Sequence, residues 1–273
     1  MSNWKFSGAE APRHAVTVPQ TGLSRRAVFT AGTALVAALS VTADAQTAER
    51  RPTPTPSPAP SVAFLLYDSA CGSEFTGAWE VFRASGPLGP GGFQCFTLGS
   101  ARSAIDVGGL AITPQYTFSD APRADVIVTP SRNGGFASMS AHAPEIEWLR
   151  RASDEAQIVL AIGSGAFLLA EAGLLDGRQA TTHHTYFGEF ERQFPSIALQ
   201  RDRRFVDAGD RITTGGYAGG IDAALHIVAR RYGPDSALRT VGAIEHASDL
   251  WMTNQLQPGS ARPPANAMSE EQI

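Results

Sequence analysis

Residues 157–175 read QIVLAIGSGAFLLAEAGLL, and no other stretch restricts the fold as strongly. Five apolar residues, Ile158 to Ile162, form a run closed by a Gly-Ser-Gly turn, as a fully buried strand does. Apolar residues then recur at helical spacing. A strand that turns this sharply into a helix presents the apex of the turn at the carboxyl edge of a sheet, where α/β enzymes often hold a nucleophile. Here the apex offers only Gly163 and Ser164.

The rest of the chain repeats the same alternation. VAFLLY (Val62 to Tyr67), FQCFTLG (Phe93 to Gly99) and ADVIVTP (Ala124 to Pro130) are three more short apolar runs bounded by loop residues. Helical spacing runs from Phe75 through Trp79, Val81 and Phe82, and further helices are predicted at Pro144 to Ala152, Ala218 to Gly233 and Pro234 to Leu250. IDVGGLAITPQYTF, from Ile105, reads as a hairpin-like insertion about its Gly-Gly. Short strands are predicted on either side of the Ala-Gly-Asp turn at 208–210. Strands alternating with helices imply an α/β fold, an open, mostly parallel sheet with helices on both faces. In such sheets ligands bind beyond the carboxyl ends of the strands, so the loops after Tyr67, Pro130 and Ile162 are expected to meet at one site.

Both ends differ in composition from this core. Arg25 and Arg26 precede the apolar run AVFTAGTALVAALSV, which closes on Ala43-Asp44-Ala45, a small-x-small cleavage pattern. A basic region, a short apolar stretch and such a site make a cleavable export signal, and the paired arginines indicate the twin-arginine route to the periplasm or the exterior. The run is short and rich in Ala, Thr and Gly for a membrane span, so no anchor is expected after cleavage. Alternating prolines in RPTPTPSPAPS favour polyproline II, a semi-rigid spacer. The expected organisation is a signal over 1–45, a linker over 46–61, one folded domain over 62–250 and a flexible tail over 251–273. The formal charge of −4 gives no basic footprint for nucleic acid. Cys71 and Cys95 lack the spacing of a metal or redox pair, and no set of His, Cys, Asp and Glu is spaced for zinc, so neither metal nor cofactor is expected.

Several motifs in a fixed order, EFTGAWEVF, GGLAITPQYTF, ADVIVTP, VLAIGSGAFLLAEAGLLDGRQATTHH and DRRFVDAGDRITTGGYAGGIDAALHIVARRYG, resemble the ThiJ/PfpI (DJ-one) superfamily over Val62 to Leu250. The branch they are most similar to is that of isonitrile hydratases and the sensor domains of AraC-type regulators. The resemblance implies a flavodoxin-like, class I glutamine amidotransferase-like three-layer sandwich. It also implies a cysteine at the elbow, in a pattern like Cys-[Thr/Ser]-Gly-Ala-Phe-Leu-Leu, and this chain has Gly163 there. The usual nucleophile is missing.

The resemblance assigns the remaining positions residue by residue. Glu74 takes the place of the family's acidic partner. Ser131 and Arg132 stand where Pro-Gly-Gly would lend backbone donors, unless Gly134-Gly135 substitute. Arg132 suits an anionic ligand, because a guanidinium matches a carboxylate. His183 matches the histidine of the Thr-Thr-His segment, a base or a ligand contact. His184 is expected to pack, Asp222 to be structural, and His226 to be a core histidine. Ligand-binding candidates are therefore Ser131, Arg132, Gly163 and Gly165, and catalytic candidates are Glu74, Ser164 and His183, with Cys71 as a possible substitute thiol. Three functions follow: a catalytically lapsed small-molecule binder (a pseudoenzyme), an active hydratase or hydrolase using Cys71, Ser164 or a water activated by Glu74 or His183, and a sensor derived from the regulator branch. A homodimer is implied by analogy. DNA binding is not expected, since no helix-turn-helix motif follows Leu250.

Overall fold

The computed structural model describes residues 58–86, 92–132 and 143–253. The export signal, most of the spacer, the Gly134-Gly135 pair and the tail beyond Thr253 lie outside these residues.

Each predicted apolar run forms a strand whose length its flanking turn residues set. They are β1 (Ser61–Leu65), β2 (Gln94–Gly99), β6 (Val126–Thr129) and β7 (Ile158–Ile162). With β5 (Tyr116–Thr117), β10 (Phe205–Asp207) and β11 (Arg211–Thr214) they make one seven-stranded sheet. Its order is β10-β11-β7-β6-β1-β2-β5. Every neighbouring pair is parallel except β10 with β11, the antiparallel arms of the hairpin at Ala208-Gly209-Asp210. β6, β7 and β11 are buried at every residue, as sheet covered on both faces must be. The insertion forms a separate ribbon, β3 (Ile105–Val107) with β4 (Leu110–Ile112), turning at Gly108-Gly109, and β8 (Gln179–Ala180) pairs in parallel with β9 (Ala198–Leu199).

One helical layer contains α1 (Gly72–Ala84), α5 (Ala218–Tyr232) and α6 (Pro234–Ala243), which contact one another. α2 (Ala143–Ala152) packs with α3 (Gly165–Glu171), and α4 (Phe187–Gln193) contacts β9. Phe64 anchors α1 by ring contacts with Phe75, Trp79 and Phe82 at 5.1–6.2 Å between centroids. These are the apolar positions from which the helix was inferred.

The helix predicted over Pro234 to Leu250 is two helices. α6 stops at Ala243, Glu245 takes φ +53°, and α7 (Leu250–Thr253) resumes with Trp251 buried. The break follows from His246, whose Nε2 lies 2.9 Å from Oδ1 of the fully buried Asp222, drawing the chain off the helical path. Both cysteines are free thiols. Burial raises the Cys95 thiol to about 12, so it is inert.

Candidate active site

The sheet leaves β1 in one direction to form β2 and crosses to the other side to form β6. This reversal of strand order opens a crevice at the carboxyl ends, the standard ligand position of such sheets. Glu74, Ser131, Gly163 and Tyr217 come from the segments that follow β1, β6, β7 and β11, and His183 from the segment just before the turn His184–Tyr186. The loop after β1 is pinned across the mouth: Ala70 bridges Arg132, and the Cys71 N–H donates to the Ser131 carbonyl at 2.8 Å. That anchorage carries the first turn of α1, and Glu74 with it, over the ends of β6 and β7.

Glu74 is 2% exposed and receives three donors. The Ser131 N–H donates to Oε2 at 2.6 Å; the Tyr217 N–H (2.9 Å) and the Ser131 hydroxyl (3.1 Å) donate to Oε1. Burial raises its carboxyl above the usual carboxylate range, and the donors from Tyr217 and Ser131 oppose that rise. Tyr217, between β11 and α5, is held at φ +55°, a left-handed conformation costly for a residue with a side chain. The strain aims its N–H at Glu74 and leaves its ring exposed. Tyr217 escaped sequence reasoning, and the double glycine before it, Gly215-Gly216, is the one local signal that could have drawn attention to this turn.

The elbow itself is Gly163, at φ +53°. A Cβ built on it would lie 2.2 Å from Ser131 Oγ, 3.1 Å from Glu74 Oε1 and 3.2 Å from Gly216 Cα. Ser131 therefore fills the space in which an elbow side chain would start. Its hydroxyl accepts from the Ser164 N–H at 2.8 Å and lies 3.2 Å from the Ile162 carbonyl. Gly165 is close-packed for a different reason: a Cβ there would meet the Thr129 and Pro130 carbonyls, so its lack of a side chain lets α3 approach β6.

Ser164 is buried and accepts from the Arg132 N–H at 3.2 Å, so its hydroxyl points into the β6 loop. Cys71 is buried at the start of α1, with Sγ 3.4 Å from Ser73 Oγ. It stands near enough to Tyr67 and Tyr217 to help raise both phenols, after burial, which raises them most. His183 is half-buried, its Nδ1 engaged by the Thr185 hydroxyl at 2.6 Å. A Cβ on Gly216 would lie 2.6 Å from the His183 ring, 3.5 Å from its Nε2 and 3.0 Å from Glu74 Oε1, so the imidazole and the carboxyl both close on Gly216 and leave no room for a side chain there. Tyr217 and Tyr186 flank that ring at 6.0 and 5.9 Å. His184, expected to pack, is exposed and lies against His183 at 4.4 Å, because the short turn His184–Tyr186 carries it outward.

Tyr67 and Arg132, with Asp68, Ser100, Ser103 and Glu145, line a cavity of about 280 Å³. Arg132, from the loop the sequence singled out, is one of the residues lining this cavity. Away from the site, Asp222 holds Arg204 at 2.7 Å as well as His246, and His226 pairs with Asp207 at 2.8 Å. Among the described residues no group of His, Cys, Asp and Glu could hold a metal ion, and no helix is long and apolar enough to cross a membrane.

The isonitrile hydratase of Pseudomonas putida is 32% identical over 140 residues, 51% of this chain and 59% of the hydratase. The HTH-type transcriptional regulator CdhR of Pseudomonas aeruginosa is 35% identical over 106 residues, 38% of this chain and 31% of the regulator. The chain thus spans under two thirds of either relative. Among solved structures, a ThiJ/PfpI family protein from Pseudomonas syringae superposes with a TM-score of 0.62 at 24% identity, covering 81% of this chain and 87% of that one. Drosophila melanogaster DJ-1beta gives 0.59 at 22%, covering 70% and 100%. These two likenesses concern the fold. The model of the DJ-1/PfpI family matches residues 60–230, which include every residue of the Glu74, Ser131, Gly163 and His183 cluster. This chain belongs to the DJ-1/PfpI family.

Proposed function

We propose that this chain is an exported small-molecule-binding protein in which the family's thiol chemistry has lapsed. One observation carries the reading: no thiol stands at the elbow, and the space for one is filled by the Ser131 hydroxyl, 2.2 Å from where a Cβ on Gly163 would lie. Around that point the crevice keeps its recognition groups. Glu74 and His183 both border Gly216, Tyr217 and Tyr186 flank the imidazole, and Arg132 lines a cavity beside Tyr67. Export is supported by Arg25-Arg26, the apolar run after them and Ala43-Asp44-Ala45, and it places the mature domain in the periplasm or outside the cell. The mature unit is a homodimer by analogy, a state that light scattering measures directly.

The similarity to an isonitrile hydratase selects the first probe. Purified chain is titrated with a small alkyl isonitrile, following its melting temperature for binding and formamide release for hydration. The expected result is a rise in melting temperature without hydration, reduced by Glu74→Gln. Steady hydration would overturn the reading. Loss of that hydration on Cys71→Ser would move the protein to the alternative reading, an active hydratase whose nucleophile sits on the opposite wall.

A further inference from the structure

We propose that Ser131 is an oxygen nucleophile that replaces the missing elbow thiol from across the crevice, with Glu74 as its base, and that the pair acts on small acyl compounds such as esters. The inference rests on the same site as the proposed function and adds a chemistry to it. Three observations carry it. The Ser131 hydroxyl lies where the elbow side chain of a relative would begin, so a small molecule entering toward the elbow meets this oxygen. It is 3.1 Å from Glu74 Oε1, within the reach a base needs, and Glu74 is itself fixed by the Tyr217 and Ser131 N–H groups. The Ser164 N–H donates to the same hydroxyl at 2.8 Å, which stabilises negative charge on that oxygen as its proton leaves. Ser131 is half-buried, whereas Ser164 and Cys71, the alternatives raised by the sequence, are buried.

The chemistry balances with water as the only co-reactant. Ser131 Oγ bonds to the acyl carbon as its proton passes to a Glu74 oxygen. The carbon–leaving-group bond then breaks, and the departing alkoxide takes that proton. Water next gives a proton to Glu74 and bonds to the acyl carbon, the carbon–Oγ bond breaks, and the proton returns to Ser131. The raised carboxyl of Glu74 suits both halves, since a base works best with its pKa nearer the working pH.

Methanesulfonyl fluoride is the test, being small enough for a narrow crevice. Sulfonylation forms an S–Oγ bond, expels fluoride and passes the hydroxyl proton to Glu74. The intact chain is treated folded and urea-unfolded, and the modified peptide is mapped by mass spectrometry. The expected result is a label on Ser131 in the folded chain alone, formed about 100-fold or more slowly in Glu74→Gln, the usual contribution of a general base. Folded chain that takes no label, or takes it elsewhere, overturns the proposal. Mapping the unsubstituted chain settles the point even if Ser131→Ala or Glu74→Gln folds poorly. Binding of the isonitrile probe without a label leaves the proposed site standing and removes the nucleophile. A label without probe binding does the reverse.

Discussion

Placing a thiol at the elbow by Gly163→Cys alone is expected to damage the protein, and the size of the damage follows from the geometry. An L side chain at φ +53° costs about 1–2 kcal/mol in the left-handed region. Its Cβ would lie 2.2 Å from Ser131 Oγ, so the serine must rotate away. Rotation leaves the Ser164 N–H without its acceptor, at about 1–3 kcal/mol for a buried donor. Ser131→Gly loses that same hydrogen bond. In the double variant the shared loss is counted once, and the two substitutions should couple favourably by about 1–3 kcal/mol. Urea unfolding of the parent, the two single variants and the double gives the cycle, provided the denaturant slopes agree. Additivity within about 0.5 kcal/mol would refute the claim that Ser131 occupies the elbow's side-chain space.

Other consequences can be checked with the same preparations. Because burial raises the Glu74 carboxyl, folding favours its protonated form. Its contribution to stability is therefore full below its ordinary pKa and is lost as pH rises through the folded value, so the parent's advantage over Glu74→Gln should narrow with rising pH; a gap that widens refutes the assignment. Tyr217→Gly should raise unfolding stability by about 1 kcal/mol through relief of its φ, while removing a ring from beside His183; a loss of stability would show that the exposed ring, not the turn, governs this position. Asp222→Ala should destabilise by about 3–5 kcal/mol, the usual result of stranding a partner of a buried ion pair, and a change under about 1 kcal/mol would remove its structural role.

The sheet was readable in the sequence because its strands are buried on both faces and so are written as unbroken apolar runs, IVLAI in β7 being the clearest. α1 was readable because Phe75, Trp79 and Phe82 repeat at helical spacing against Phe64. The end of α6 was not, since His246 leaves the helix for an aspartate 24 residues earlier and local periodicity carries no trace of that pairing. In the site, Glu74 and Gly163 could be placed from motif order. The contact between Gly163 and Ser131 could not, because it joins residues 32 apart in sequence across two neighbouring strands. Tyr217 was missed for a related reason. Its contribution is a backbone N–H, which any residue type supplies.

The occupation of the elbow by Ser131 also fixes the order in which this pocket could change its chemistry over generations. A cysteine arriving at 163 while Ser131 remains meets the serine oxygen at once. Loss of the serine first clears the space, at the expense of the Ser164 hydrogen bond, and leaves glycine at both positions. A path to a thiol at 163 therefore descends through a weakened double-glycine intermediate before it can rise, a valley that one mutation cannot cross. Ser131 acts as a ratchet: while its hydroxyl fills that space, selection for stability alone keeps a side chain out of position 163, whatever the pocket is used for.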